Sequence, residues 1–307
     1  MASDTAISIM NRNLSKRHTV GGRVGSGLGT LLEAEWGFTV SEILHSNAES
    51  MGVSEHLELA WVSENTYNDF ALLDNEKGAA TTWTPQNHRG ELLRLEVKSM
   101  ALDAEESKAH FDATRSEIGK HDLLVVLLWR WAPVPGRPGR VCPEITGSWL
   151  GSAREIAALR DSLHTARGGS FVAAGECPDG CTEVCSHVGE PLNAAGTRER
   201  FSGPACCVTG GTLAAQNFGG LVRMLKTRGN AEGLKALRSA CRKNVTSRSY
   251  VDFIHQNFPN EEQNTFSKKI WLEVAAQRGV ETLKTELEVV TAAVRSTAGY
   301  RDLLMAA

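Results

Sequence analysis

A mixed α/β fold is predicted by three stretches of the chain and by their order. Residues 56–62 (His-Leu-Glu-Leu-Ala-Trp-Val) alternate apolar and polar side chains as a half-buried strand does, and 91–98 (Glu-Leu-Leu-Arg-Leu-Glu-Val-Lys) reads as a second strand. Leu123-Leu-Val-Val-Leu-Leu-Trp129 is apolar throughout, which suits a strand covered on both faces. The polar stretch 101–118 between the last two reads as a helix. Strand, strand, helix and buried strand together make a sheet core with helices packed against it.

The remaining elements follow in chain order. The first 20 residues read as a polar lead-in, and Gly21 to Gly29 as a flexible approach to a helix opening at Thr30. Those glycines form neither a G-x-G-x-x-G pattern nor a phosphate loop closed by Lys-Ser/Thr, so a nucleotide site is not expected there. Phe70-Ala-Leu-Leu73 is a short apolar run, and 75–90 carries the Asn, Gly, Thr and Pro of a loop. Four of the nine prolines fall in 132–143, which marks a long loop or a boundary. A helix is expected at 152–164, then a cysteine-rich loop and a glycine-rich region to about 220, then helices at 231–242, 249–257 and 281–296. Residues 1–145 are read as the core with its lead-in. Residues 146–307 are read as a Cys-containing, mostly helical and basic half, or as an elaboration of the same domain.

Composition limits the function classes. At 41% hydrophobic and 22% charged the chain has the balance of a globular protein. Its longest apolar run is seven residues, against roughly 20 for a membrane-spanning helix. Met-Ala-Ser-Asp-Thr lacks the basic patch and apolar stretch of a secretory signal, so a cytoplasmic protein with no membrane partner is expected. A net charge of −3 excludes a polycation that coats nucleic acid over its whole surface. Locally the balance differs: Leu221 to Tyr250 holds Arg223, Lys226, Arg228, Lys235, Arg238, Arg242, Lys243 and Arg248 against the single acid Glu232. Arg12, Lys16, Arg17 and Arg23 form a second stretch without an acid. Such faces suit contact with a polyanion, and Arg223, Lys226, Arg228, Arg242 and Lys243 are the expected contacts to a DNA backbone.

The chemistry concentrates in Leu95-Glu96-Val97-Lys98. Residues two apart on a strand share a face, and an acid and an ammonium projecting together from apolar sequence are expensive unless paired, hydrated or working. The same triplet recurs at Glu106-Ser107-Lys108, but there it sits in polar sequence and reads as surface. Two acids bracket the upstream apolar run, Asp69 and Asp74. If 69–74 and 91–96 pair antiparallel with Asp74 opposite Glu91, Asp69 falls opposite Glu96, with Cβ atoms about 5 Å apart. Two carboxylates at that spacing can share a metal, which favours Asp69 over Asp74.

Asp-x26-Glu-x-Lys on such a hairpin, followed by a helix and an apolar strand, resembles the PD-(D/E)xK nuclease superfamily. Type II restriction endonucleases and several repair nucleases belong to it. The resemblance covers roughly residues 30–130: Asn68-Asp69 stands where the family usually has Pro-Asp, Glu96-Val97-Lys98 matches the acid-x-Lys, and Asp122-Leu-Leu-Val-Val-Leu-Leu128 matches the next core strand. It implies a restriction-endonuclease-like mixed sheet core flanked by helices. It further implies that Asp69 and Glu96, with Glu33 or Glu35 from a preceding helix, bind Mg²⁺, while Lys98 positions or deprotonates the attacking water. The expected activity is a Mg²⁺-dependent endonuclease that cuts double-stranded DNA as a homodimer, in restriction or another anti-phage defence, leaving a 5′-phosphate and a 3′-hydroxyl.

Cysteine usage adds a separate expectation. Cys177, Cys181, Cys185 and His187 cluster in one loop, and three thiolates with one imidazole complete a tetrahedral structural Zn²⁺ site. Cys206-Cys207 can supply a ligand in place of His187, and inert loop cysteines are the alternative. There is no G-x-S-x-G elbow and no H-E-x-x-H pair, so a serine-hydrolase or zincin site is not expected. The rival from another class is a non-catalytic, zinc-stabilised DNA-binding or assembly protein, in which Glu96 and Lys98 are structural.

Overall fold

The computed structural model describes residues 2–16, 19–20, 27–62, 67–77, 83–84, 86–102, 109–175, 188–192, 218–225 and 230–258. These divide between two compact units, one drawn from 1–106 and 119–153 and the other from 107–118 and 154–278.

The first unit is a mixed sheet with helices. Its elements are α1 (Ala2–Leu14), β1 (Thr19–Val20), α2 (Leu28–Ser46), the single turn α3 (Ala48–Met51), β2 (Leu57–Trp61), β3 (Phe70–Asp74), β4 (Glu91–Ala101), β5 (Leu123–Pro133) and β6 (Arg140–Ser152). The sheet order is β1-β6-β5-β4-β3-β2. Only β4 and β5 run parallel, in register from Leu95 opposite Leu123 to Ala101 opposite Trp129. One face of the sheet is covered by α1 and α2. There Ala6, Met10, Leu32, Trp36 and Val40 pack with Leu72, Leu95, Val97, Val125 and Leu127 into one apolar cluster. Alternation along β4 therefore sends Arg94, Glu96 and Lys98 to the opposite face.

Three expectations are corrected here. The first residues are not a lead-in but the helix α1, whose Ala6, Met10 and Leu14 recur at helical spacing and are buried. Asn11 fixes its position: Nδ2 donates to the Ile145 carbonyl, and Oδ1 accepts from the Ile145 amide, both at 2.8 Å. The proline-rich 132–143 is a hairpin rather than a long loop, with Trp131 paired to Pro143 and Pro133 to Val141. The chain reverses within 134–139, where Gly136 and Gly139 take φ of 71° and 72°. Finally, 109–118 contains no helix. Ala109, Phe111 and Ala113 are buried with the period of two of an extended chain, and Phe111 donates to Gly219 while Leu221 donates to Ala109.

The second unit contains α4 (Ala153–Ala166), the strand pair β7 (Ser170–Phe171) and β8 (Pro191–Leu192), α5 (Ala231–Lys243) and α6 (Val245–Asn257). The helices match the expected 152–164, 231–242 and 249–257. Asparagine caps set the last two: Asn230 accepts from the Gly233 amide at 2.8 Å and Asn244 from the Ser247 amide at 2.9 Å. The expected helix 281–296 lies outside the described residues, as do Cys177, Cys181, Cys185, His187, Cys206 and Cys207.

Candidate functional site

The site begins where β3 stops accompanying β4. Phe70 pairs with Leu95, Ala71 with Arg94 and Leu72 with Leu93, and the ladder ends there, because the Asp69 amide also donates to Leu95 instead of bringing Asp69 opposite Glu96. A bulge between Leu72 and Leu73 then shifts the other end by one residue, and Asp74 bonds to the Gly90 carbonyl rather than facing Glu91. Neither the expected Asp69–Glu96 pair nor the Asp74–Glu91 pair used to derive it forms on the backbone, although both Asp69 and Glu96 carboxylates reach Lys98.

Past Leu95, no strand pairs with β4 on its β3 side among the described residues. The odd-numbered residues of β4 turn their backbone groups to that side, since the Leu95 carbonyl accepts from the Asp69 amide at 3.1 Å. Two amides are thereby left without a ladder partner, and carboxylates take them. Val97 donates to Asp69 Oδ2 at 2.8 Å, and Ser99 donates to Glu33 Oε1 at 2.6 Å. Both acids are thus held in place by the exposed edge of one strand.

Glu33 reaches that edge because α2 lies close to the sheet. Gly29, Glu33 and Gly37 are one helical turn apart and share a face. A Cβ on Gly29 would stand 2.8 Å from Ser99 Oγ, and one on Gly37 only 2.0 Å from the Phe70 ring. Glycine at both positions permits the approach. Glu35 is on another face of α2 and Asp74 is about 17 Å along β3 from Asp69 at strand rise. Of the five candidate acids, the structure brings Glu33, Asp69 and Glu96 together around Lys98.

The Lys98 ammonium lies 2.6 Å from Glu96 Oε1 and 3.7 Å from Asp69 Oδ2. Burial works against its charge, but Glu96, Asp69 and Glu33 outweigh that and hold its pKa above the ordinary lysine value. Glu33 is shifted the other way. Burial raises its pKa and Asp69 adds to the rise, against the pull of Lys98 and the Ser99 hydrogen bonds. Glu96 itself is 7% exposed. Three carboxylates thus surround one ammonium, leaving negative charge in excess in a largely buried cluster.

Sequence reasoning missed four participants. Ser99 and Val97 act through their backbones, which no residue type announces. Asp122, read only as the start of a strand, is buried and accepts from the Arg94 amide at 3.1 Å, the Gly119 amide at 2.7 Å and the Tyr67 hydroxyl. Tyr67 stands two residues before Asp69, a spacing that could have drawn attention to it.

Three of the five expected DNA contacts lie among the described residues. Arg242 and Lys243 are exposed at the end of α5, and Arg223 is half-buried in a short 3₁₀ turn. Arg248 is buried and donates to the Cys241 carbonyl at 3.4 Å, so it is not on that surface. Lys226 and Arg228 lie outside the described residues. Among the described residues, no group of three or more His, Cys, Asp or Glu side chains is arranged to hold a metal ion, and no helix is long and apolar enough to cross a membrane. Comparison with protein-family models, with curated proteins and with solved structures finds no match.

Proposed function

We propose that the chain is a Mg²⁺-dependent endonuclease that hydrolyses DNA phosphodiester bonds, with the mixed sheet serving as a restriction-endonuclease-like core. One observation carries the reading: Asp69, Glu96 and Lys98, with Glu33, gather at a strand edge where β3 has peeled away. The donor chemistry fits the cation. Carboxylate oxygens are the ligands Mg²⁺ takes, and it is commonly held by only one or two of them with waters completing its shell. Asp69 and Glu96 would hold it, and the excess negative charge of the cluster favours a divalent ion there. When bound, it would neutralise charge on the phosphoryl oxygens and make a bound water more acidic.

The chain's own groups have separable roles. Lys98, kept protonated by its three carboxylate neighbours, donates hydrogen bonds that orient the attacking water or stabilise the pentacoordinate phosphorus, while the water's proton passes to bulk solvent. Glu96 and Asp69 fix the ammonium on one side of the notch. Val97 and Ser99, through their amides, stop Asp69 and Glu33 from swinging into solvent.

Double-stranded DNA is the proposed substrate and restriction or another anti-phage defence the proposed role. A homodimer would bring two such sites to two antiparallel strands. Arg223, Lys226, Arg228, Arg242 and Lys243 are the proposed backbone contacts, and Cys177, Cys181, Cys185 and His187 the proposed ligands of a structural Zn²⁺, to be read by zinc content of the purified chain. Plasmid and phage DNA, modified and unmodified, incubated with Mg²⁺ or EDTA test the activity. Cutting that requires Mg²⁺ and is lost in Glu96→Ala and Lys98→Ala supports the nuclease. Salt-sensitive DNA binding without cutting, unchanged by both substitutions, supports the zinc-stabilised binding protein instead.

A further inference from the structure

Asp122 is a buried acid that the proposed chemistry does not use. It is 4% exposed and sits just before β5, where it joins three separate stretches of chain. Oδ1 accepts from the Arg94 amide at 3.1 Å on β4, and Oδ2 accepts from the Gly119 amide at 2.7 Å in the preceding turn. The third donor is the Tyr67 hydroxyl. The arrangement is tightly fitted: a Cβ on Gly119 would lie 2.9 Å from Asp122 Oδ1.

Tyr67 leads directly into the site. Asn68 is buried and its Nδ2 donates to the Phe70 carbonyl at 3.0 Å. Asp69 then donates its amide to Leu95 and accepts Val97 on its side chain. The tripeptide is therefore tied at each residue although it precedes β3. One of its anchors away from Asp69 is the phenol on Asp122.

We propose that Tyr67 and Asp122 form a positioning pair that sets where the Asp69 carboxylate stands relative to Glu96 and Lys98. The proposal rests on the nuclease reading for its consequence and on the hydrogen-bond geometry for its substance. Asp122 is held by β4 and by its own turn, so it transmits the position of β4 to the arriving segment. The phenol is suited to the part, since its hydroxyl is a donor and the Asp122 carboxylate an acceptor. The pair touches no substrate and acts through Asp69.

The test uses the full chain carrying Tyr67→Phe, which removes one hydroxyl and keeps the ring. Amide exchange is followed at Val97, held by Asp69, at Ser99, held by Glu33, and at Val125 inside β5. The expected result is exchange roughly tenfold faster at Val97 with Ser99 and Val125 unchanged, the scale of one lost hydrogen bond. Mg²⁺-dependent cleavage should show kcat down about tenfold at unchanged KM for DNA. Asp122→Asn should act in the same direction. Unchanged exchange at Val97 overturns the proposal. So does acceleration at all three amides, which would mean only a general loss of stability. Wild-type chain that neither cuts DNA nor binds Mn²⁺ refutes the nuclease reading, and with it the catalytic consequence of the pair. The Val97 result still decides whether Tyr67 positions Asp69.

Discussion

The two ends of the β3–β4 ladder are built from the same residue types and do opposite things with them. At the loop end, Glu91 is an acid with the Arg94 guanidinium close by. Arg94 Nε donates to Glu91 Oε1 at 2.8 Å, His88 Nδ1 lies 2.8 Å from Oε2, and Trp83 Nε1 donates to Oε2 at 3.1 Å. At the other end, Glu96, Asp69 and Glu33 share Lys98. The first arrangement closes a hairpin with local pairs a few residues apart in sequence. The second brings together residues from α2, the approach to β3, and β4, and leaves negative charge in excess. Ion pairs that balance need no further partner, whereas an unbalanced buried cluster is maintained at a cost to stability. That difference separates a structural use of charge from a functional one.

Activity gives the sharpest way to break the comparison. Lys98→Ala and Glu96→Ala are each expected to lower Mg²⁺-dependent plasmid cleavage by about a hundredfold or more, the usual loss when a transition-state donor or ligand is removed. Glu91→Gln at the loop end is expected to change cleavage less than about twofold. If Glu91→Gln were as damaging as Glu96→Ala, the two ends would not differ in kind.

Stability gives the next largest effect. Lys98→Met leaves Glu96 buried beside apolar atoms and should cost on the order of 3 kcal/mol in denaturant unfolding. Adding Glu96→Gln in the same chain should restore much of that loss, because the stranded charge is gone. Equal stability of the single and double variants would show that solvent, not Lys98, balances Glu96. Gly37→Ala comes third, at about 1–3 kcal/mol, since its Cβ would overlap the Phe70 ring 2.0 Å away. Phe70 adjoins Asp69, so this variant should also lose cleavage, whereas Gly52→Ala at the end of α3, with nothing near its Cβ, should not.

How far the sequence discloses this region depends on whether a feature is local. Glu-x-Lys on a strand is local, and the five-residue arithmetic between Asp69 and Asp74 placed Asp69 across from Glu96. The arithmetic assumed an unbroken ladder, but the register shifts after Leu72 and the Asp69 amide bonds to Leu95, so the two acids meet through their side chains at Lys98 and not as a backbone pair. The choice of Glu33 over Glu35 could not be made from composition, since it depends on Gly29 and Gly37 letting α2 approach. The buried stripe of α1 is hidden among Ser, Asp, Thr and Asn, and 109–113 was read for its charges rather than for its alternate apolar residues. Asp122 has no sequence signature, because two of its three bonds run to backbone amides.

The smallest expected effect is the most diagnostic of the excess charge. Burial and Asp69 raise the Glu33 pKa above its ordinary 4.5, so the folded chain holds a proton there that the unfolded chain has released. Folding stability from this group is complete below pH 4.5 and declines as pH climbs through the raised value. Glu33→Gln keeps an oxygen for the Ser99 amide and removes the ionisation, so it should gain on the wild type over that rise. Mg²⁺ should reverse the ranking, since a cation at Asp69 and Glu96 favours ionised Glu33 and stabilises the wild type more. Urea titrations of both chains at pH 4.5 and pH 8, with Mg²⁺ and with EDTA, measure the two differences. A wild type that tracks Glu33→Gln at every pH, and gains nothing extra from Mg²⁺, would place the notch with the balanced charges of the loop end.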